Sequence, residues 1–241
     1  GAWQAWRCNQ DIGGGVADTS VSDLGNQDDT HVVCVTDVWP TLQCRVSKTT
    51  GSGSMRTGVS DNRHDNLAGH AHELTFSCHR RRPHLSEATA ARICLSSVKR
   101  AQHALGFDVW AYAVMPDHVH LLIRPTADQY DIARVLQAIK GTSSKRYSQL
   151  LQRTDPSAYR RLVGTLAGRI VFRVWQRGGG FDRNMFTARA IHSSIRYIEA
   201  NPVRAGLVGE AREYFWSSAW ERHDEDRWRP VVDRKEVPVY L

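Results

Sequence analysis

"FDVWAYAVMPDHVHLLIRP", residues 107–125, is apolar almost throughout and breaks at one Pro-Asp step. Runs of this length, rich in Val, Ile, Tyr and Trp and split by a turn dipeptide, predict two antiparallel strands. The spacing places them at Phe107–Pro116 and His118–Pro125. The second begins with His118-Val119-His120. Side chains two apart on a strand share a face, so both imidazoles project on one side of the sheet and Val119 on the other.

The segments around this hairpin extend the pattern. "HELTFSCH" (72–79) alternates as a strand and ends in "RRRPH" (80–84). Residues 86–105 open with a Ser cap and Glu87, then carry apolar residues at helical spacing. Residues 131–151 form an amphipathic helix, bent near Gly141, and "RIVFRVWQRGGGFD" (169–182) reads as a strand running into a glycine-rich turn. "ARAIHSSIRYIEANP" (188–202) is helical and stopped by Pro202. The order β-α-β-β-α-β-α predicts an α+β fold, a ferredoxin-like (RRM-like) antiparallel sheet with helices packed on one face.

Composition limits the partners. Of 241 residues, 41% are hydrophobic and 24% charged, and no apolar run approaches the length of a membrane helix. No basic-then-apolar secretory signal is seen, so the expected location is cytoplasmic and nucleoid-associated, away from membranes. Cys8, Cys34, Cys44, Cys78 and Cys94 form no C-x-x-C pair and read as reduced structural thiols. The formal charge of +7 is uneven: residues 1–67 carry five Lys/Arg against eight Asp/Glu, the remainder 27 against 17. Residues 1–67, with their Gly and Ser runs, read as a flexible leader, 68–220 as the folded body and 221–241 as a C-terminal tail. A basic body fits a polyanionic partner.

Neutral imidazole is a common metal ligand, and two on alternate positions of a strand can grip one cation. Taken alone, an H-x-H step equally describes two hydrogen-bonded histidines with no ligand. In "YIEANP", Tyr197 and Asn201 stand four apart on one helix face. Asn201 offers an amide oxygen to a hard cation, and Tyr197 a phenol that becomes a useful nucleophile against a polarised phosphodiester. An amphipathic tyrosine and a helix-terminal asparagine are the plain readings of the same residues. Phosphate partners are available in Arg80, Arg81 and Arg82, in Lys140, Lys145 and Arg146 along the middle helix, and in Arg177 and Arg183 beside Gly178-Gly179-Gly180. Trp175, Phe181 and Phe186 are candidates for base stacking, with burial the more usual fate of each, while Trp216 and Trp220 read as core.

Several motifs together resemble a known family. The His118-Val119-His120 step within "AVMPDHVHLLI" resembles the HUH motif of the single-tyrosine transposases, and "YIEANPVRAGLV" (197–208) their catalytic helix. "VWQRGGGFDRN" (174–184) and "EYFWSS" (213–218) resemble further blocks of the REP-associated tyrosine transposases. The resemblance implies that His118, His120 and Asn201 bind Mg²⁺ or Mn²⁺ and that Tyr197 attacks single-stranded or hairpin DNA, leaving a 5′-phosphotyrosine and a free 3′-hydroxyl. It implies a monomer or a homodimer sharing its tyrosines. It does not reach residues 1–67, and the connection from Gln152 to Gly168 is longer than the family pattern. Two other readings stay open: a module that binds hairpin nucleic acid without cutting it, and a histidine-pair phosphoesterase that hydrolyses without a tyrosine.

Overall fold

The computed structural model describes residues 66–166, 168–220 and 226–239. All but two residues of the expected leader, and with them Cys8, Cys34 and Cys44, lie outside these. The elements are β1 (Ala71–Ser77), α1 (Ala88–Leu105), β2 (Phe107–Val114), β3 (His118–Pro125), α2 (Ile132–Thr154), α3 (Pro156–Leu162), β4 (Val163–Leu166), β5 (Arg169–Phe172), β6 (Phe181–Met185) and α4 (Ala188–Arg204). The main sheet has the order β2-β3-β1-β6, antiparallel at every step, while β4 and β5 pair separately. The α+β antiparallel sheet expected from the sequence is the fold observed, but its helices lie on both faces and not on one.

Alternation on the strands sets up the two faces of the sheet. Leu74, Phe76, Val119, Leu121 and Ile123 are buried on one, and Trp175, edge-on to Phe76, donates its indole N–H to Ser143 of α2 at 2.9 Å. Helices α1 and α2 pack together over this face. The opposite face carries Ala71, Ala113, Leu122 and the imidazoles, and α4 closes it with Ile191, Ile195 and Ile198. Each such side chain contributes about 1.5–3 kcal/mol by leaving water, so α4 is fixed over the histidine face by its apolar stripe.

Four local expectations change in detail. The α1 cap is Glu87, whose carboxylate accepts from the Thr89 and Ala90 amides, and not Ser86. Helix α2 runs through Gly141 unbroken: a helical glycine costs about 1 kcal/mol, which the buried Val135, Leu136, Ile139 and Tyr147 outweigh. The stretch 169–182 is not one strand. Its first part folds back on β4, and the sheet is joined only after Gly178 and Gly180, both at positive φ. Pro202 lies inside α4, in its last turn, and the helix ends at Arg204.

Residues 226–239, set apart in the sequence as a tail, pack on the body. Arg229, 1% exposed, lies under Phe215 and Trp228 and donates to the Phe215 carbonyl, and Asp233 N–H donates to the Val109 carbonyl on β2.

Candidate active site

β3 begins directly after the Pro116-Asp117 turn, so His118 and His120 occupy its first turn-proximal positions. Their Nε2 atoms approach to 3.0 Å, with the rings edge-to-face. The outer nitrogens are both occupied. His118 Nδ1 lies 2.6 Å from Asp117 Oδ1, and His120 Nδ1 lies 3.0 Å from Thr75 Oγ1 across the β1–β3 pair. Partners on the outer nitrogens orient imidazoles that present the inner ones to a ligand.

Burial keeps His120 neutral. Burial, aided by His118 and Arg81, pushes His120 down to about 3. At Asp117, burial acts upward, but the His118 hydrogen bond and the charges of His118 and Arg81 outweigh it and hold the carboxyl below its usual range. Arg81 Nε lies 2.8 Å from Asp117 Oδ2, and its guanidinium also donates to Ser77 Oγ. Arg80 and Arg81 sit at φ +56° and +55°, in the left-handed region that side chains with a Cβ seldom occupy. That conformation places Arg81 against Asp117.

Tyr197 comes from α4. Its half-buried ring stands edge-to-face to His120, centroids 5.8 Å apart, and the Arg204 guanidinium lies 4.8 Å over it. The tyrosine and the imidazoles thus converge within one chain. One turn on, Asn201 donates its side-chain N–H to the Tyr197 carbonyl at 3.0 Å, leaving the amide oxygen as acceptor. Ser194, one turn before Tyr197, donates to the buried Glu73 carboxylate on β1, which also pairs with Arg183. Helix α4 is therefore tied to the sheet close to Tyr197.

A cation fits the imidazole pair. Two nitrogens each about 2.1 Å from one ion and about 90° apart lie about 3.0 Å from each other, the octahedral spacing of small divalent ions. Among the described residues no three His, Cys, Asp or Glu side chains cluster as a metal site. An amide oxygen such as that of Asn201 is the kind of donor that would add to the pair.

The basic residues divide. Arg80, Arg82, Lys145 and Arg177 are exposed, and Arg146 donates to Ser96. Arg81 and Arg183 are held by Asp117 and Glu73. Lys140 is half-buried and donates to the carbonyls of Gln176 and Gly178, so it braces the glycine turn. Trp175 is core, whereas Phe181 and Phe186 are 54% and 69% exposed. Sequence reasoning missed Thr75, Asp117, Glu73, Ser194 and Arg204. Asp117, beside His118, and Ser194 and Arg204, on the Tyr197 helix, carried a local signal, whereas Thr75 and Glu73 did not.

Residues 67–162 match the family model described as "Transposase IS200 like". In fold it is similar to a REP-associated tyrosine transposase solved bound to a REP hairpin: TM-score 0.53, 17% identity, covering 76% of this chain and 95% of that one. A structure from Deinococcus radiodurans R1, described as a candidate transposase, matches at TM-score 0.37 and 20% identity over 60% of this chain and 96% of that one. No curated protein matches the chain in a sequence search. The resemblance read from the motifs agrees with the family model over residues 67–162, and the expected fold is borne out. No helix among the described residues is long and apolar enough to cross a membrane.

Proposed function

We propose that this transposase cuts and rejoins single-stranded DNA at hairpin-forming repeats through a covalent link to Tyr197. The convergence of Tyr197 with the His118–His120 pair carries this reading. The Tyr197 oxygen attacks the scissile phosphorus and loses its proton; the 3′-oxygen leaves and gains one. A 5′-phosphotyrosine and a free 3′-hydroxyl result. In the return step that hydroxyl, or one from another strand, attacks the link and releases the phenol. The exchange of one ester for another requires neither ATP nor water.

His118 and His120, with Asn201, would hold Mg²⁺ or Mn²⁺ for this chemistry, and Asp117 and Thr75 keep the two rings turned inward. A divalent ion there would polarise the phosphate and offset charge on the leaving oxygen. Arg204 holds the Tyr197 ring in place. The exposed Arg80, Arg82 and Arg177 supply phosphate contacts, with Lys145 and Arg146 further along α2.

The test is a labelled hairpin oligonucleotide incubated with protein and Mn²⁺ and resolved under denaturing conditions. A covalent adduct is expected, absent in Tyr197→Phe and lost on chelation. Binding that survives chelation without an adduct would instead identify a non-cutting hairpin binder. Cleavage that persists in Tyr197→Phe would identify a hydrolase.

A further inference from the structure

The family match ends at Leu162, and the ribbon that follows lies outside it. β4 and β5 form a two-stranded antiparallel ribbon, with Val163 facing Phe172 at its base and Leu166 facing Arg169 at its tip. The base is fixed. Phe172 stacks on Tyr159 of α3 at 5.8 Å and meets Tyr147 of α2 edge-on at 6.1 Å. Arg173 N–H donates to the Leu162 carbonyl at 2.7 Å, and its guanidinium crosses the open Cα of Gly164 to reach the Thr165 carbonyl.

The tip is bare. Ile170 is 77% exposed and Leu166 39%. Residues 153–173 hold five arginines against one carboxylate, Asp155, which is used as the α3 cap. Arg153, Arg160, Arg161 and Arg169 are exposed, and none has an acidic partner among the described residues. The ribbon also joins the active-site rim. Two residues past β5, the Val174 carbonyl accepts from His79 N–H and Trp175 bridges to Cys78, immediately before Arg80–Arg82. His79 lies in the joint field of Arg80, Arg173 and Arg82.

We infer that α3 and the β4–β5 ribbon together form a second DNA-binding element that grips duplex DNA beside the cleaved strand, with Arg160 and Arg161 of α3 and Arg169 of the ribbon on phosphates and Ile170 in the groove. A two-stranded ribbon is one of the two shapes the major groove admits. Uncompensated arginines on α3 and on a ribbon with an aliphatic tip match a polyanion whose groove edges carry thymine methyls. The inference rests on the reading of this chain as a DNA-processing enzyme, and extends it to duplex held outside the active site.

The test is the salt dependence of binding to a short mixed-sequence duplex by the full chain. Arg160→Gln/Arg161→Gln/Arg169→Gln is compared with a charge-matched control, Arg100→Gln/Arg134→Gln/Arg212→Gln. Each lost phosphate contact flattens log K against log salt by about 0.9, so the ribbon variant is expected to lose about two to three from the slope and at least about tenfold in affinity. The control is expected to keep the wild-type slope. Ile170→Ser is expected to weaken binding severalfold at unchanged slope. Equal losses in ribbon variant and control would overturn the proposal, since net charge alone would explain them. So would a wild-type slope in the ribbon variant, with or without altered sedimentation; altered sedimentation would mark the ribbon as a contact between copies. Adduct formation by the wild type on a hairpin oligonucleotide is measured alongside. Its failure with the slope difference intact would remove the strand-transfer reading and leave the ribbon as a duplex-binding element.

Discussion

His120 shows how burial keeps an imidazole in the neutral form that the proposed ligand role needs. An exposed imidazole near pH 6.5 is half protonated, and a protonated ring cannot coordinate. Enclosed between β1, α4 and His118, this one stays neutral down to about pH 3. The sign of the linked stability follows. Between about 3 and about 6.5 the unfolded chain takes up a proton at this position that the folded chain refuses, so stability is complete above about 6.5 and falls as the pH drops toward about 3. His120→Gln removes that component. Thermal unfolding followed from pH 7.5 to 4 is expected to show a shallower acid decline in the variant, by about 1–3 kcal/mol at the acid end. Parallel curves would mean that His120 titrates normally in the folded protein. Thr75 and Asp117 are as much a part of this site as the imidazoles, because a ligand ring free to rotate presents its nitrogens to nothing in particular.

Between elements, the glycine turn connects the edge of the sheet to the histidines. Gly180 has φ +85°, and a Cβ there would come within 2.3 Å of the Thr75 carbonyl, on the residue that orients His120. Gly178 has a similar φ of +87° but open space around it. Gly178→Ala is therefore expected to cost only the left-handed strain of about 1–2 kcal/mol, whereas Gly180→Ala adds a backbone clash and costs several kcal/mol more. Denaturant unfolding of the two variants measures the difference, and equal costs would refute the close approach. The same turn shows why parts of this fold were legible in the sequence and others not. The hairpin of β2 and β3, the three long helices α1, α2 and α4, and the faces on which His118, His120 and Tyr197 lie follow from alternation and helical spacing, which are local, whereas the roles expected of those residues came from the family resemblance. The placement of "RIVF" on β4, and not on the sheet, depends on the Tyr159–Phe172 stack and on Leu162 accepting from Arg173, which no local pattern announces. Thr75 and Glu73 belong to the site only through the β1–β3 register and the packing of α4, both long-range facts.

Across the whole body, the sheet ends on one side at β2, a strand lacking a neighbour in the sheet order. An unpaired edge invites pairing with another chain. Here the segments that follow α4 cover it. Val114 N–H donates to the Trp216 carbonyl, Ser218 N–H to Tyr112, and Asp233 N–H to Val109, while Ala113 and Val109 bridge to Ser217 and Val232. Arg234 donates to the Trp110 carbonyl, where a register shift between Val109 and Ala111 breaks the ladder. The second layer of this cover depends on the cage in which Arg229 lies among Phe215, Trp228 and the Tyr112 hydroxyl. Ending the chain after Trp220 removes Trp228 and Arg229, bares the Val109 end of β2 and leaves Phe215 partly uncovered. The loss of one large aromatic and of a buried, hydrogen-bonded arginine is each worth about 3–5 kcal/mol, a large share of the stability of a typical domain. The shortened protein is expected to melt well below the full chain and to self-associate in a concentration-dependent manner. Calorimetry with sedimentation checks both, and a shortened chain that stays monomeric with an unchanged Tm would show that β2 needs no cover beyond residues 216–218.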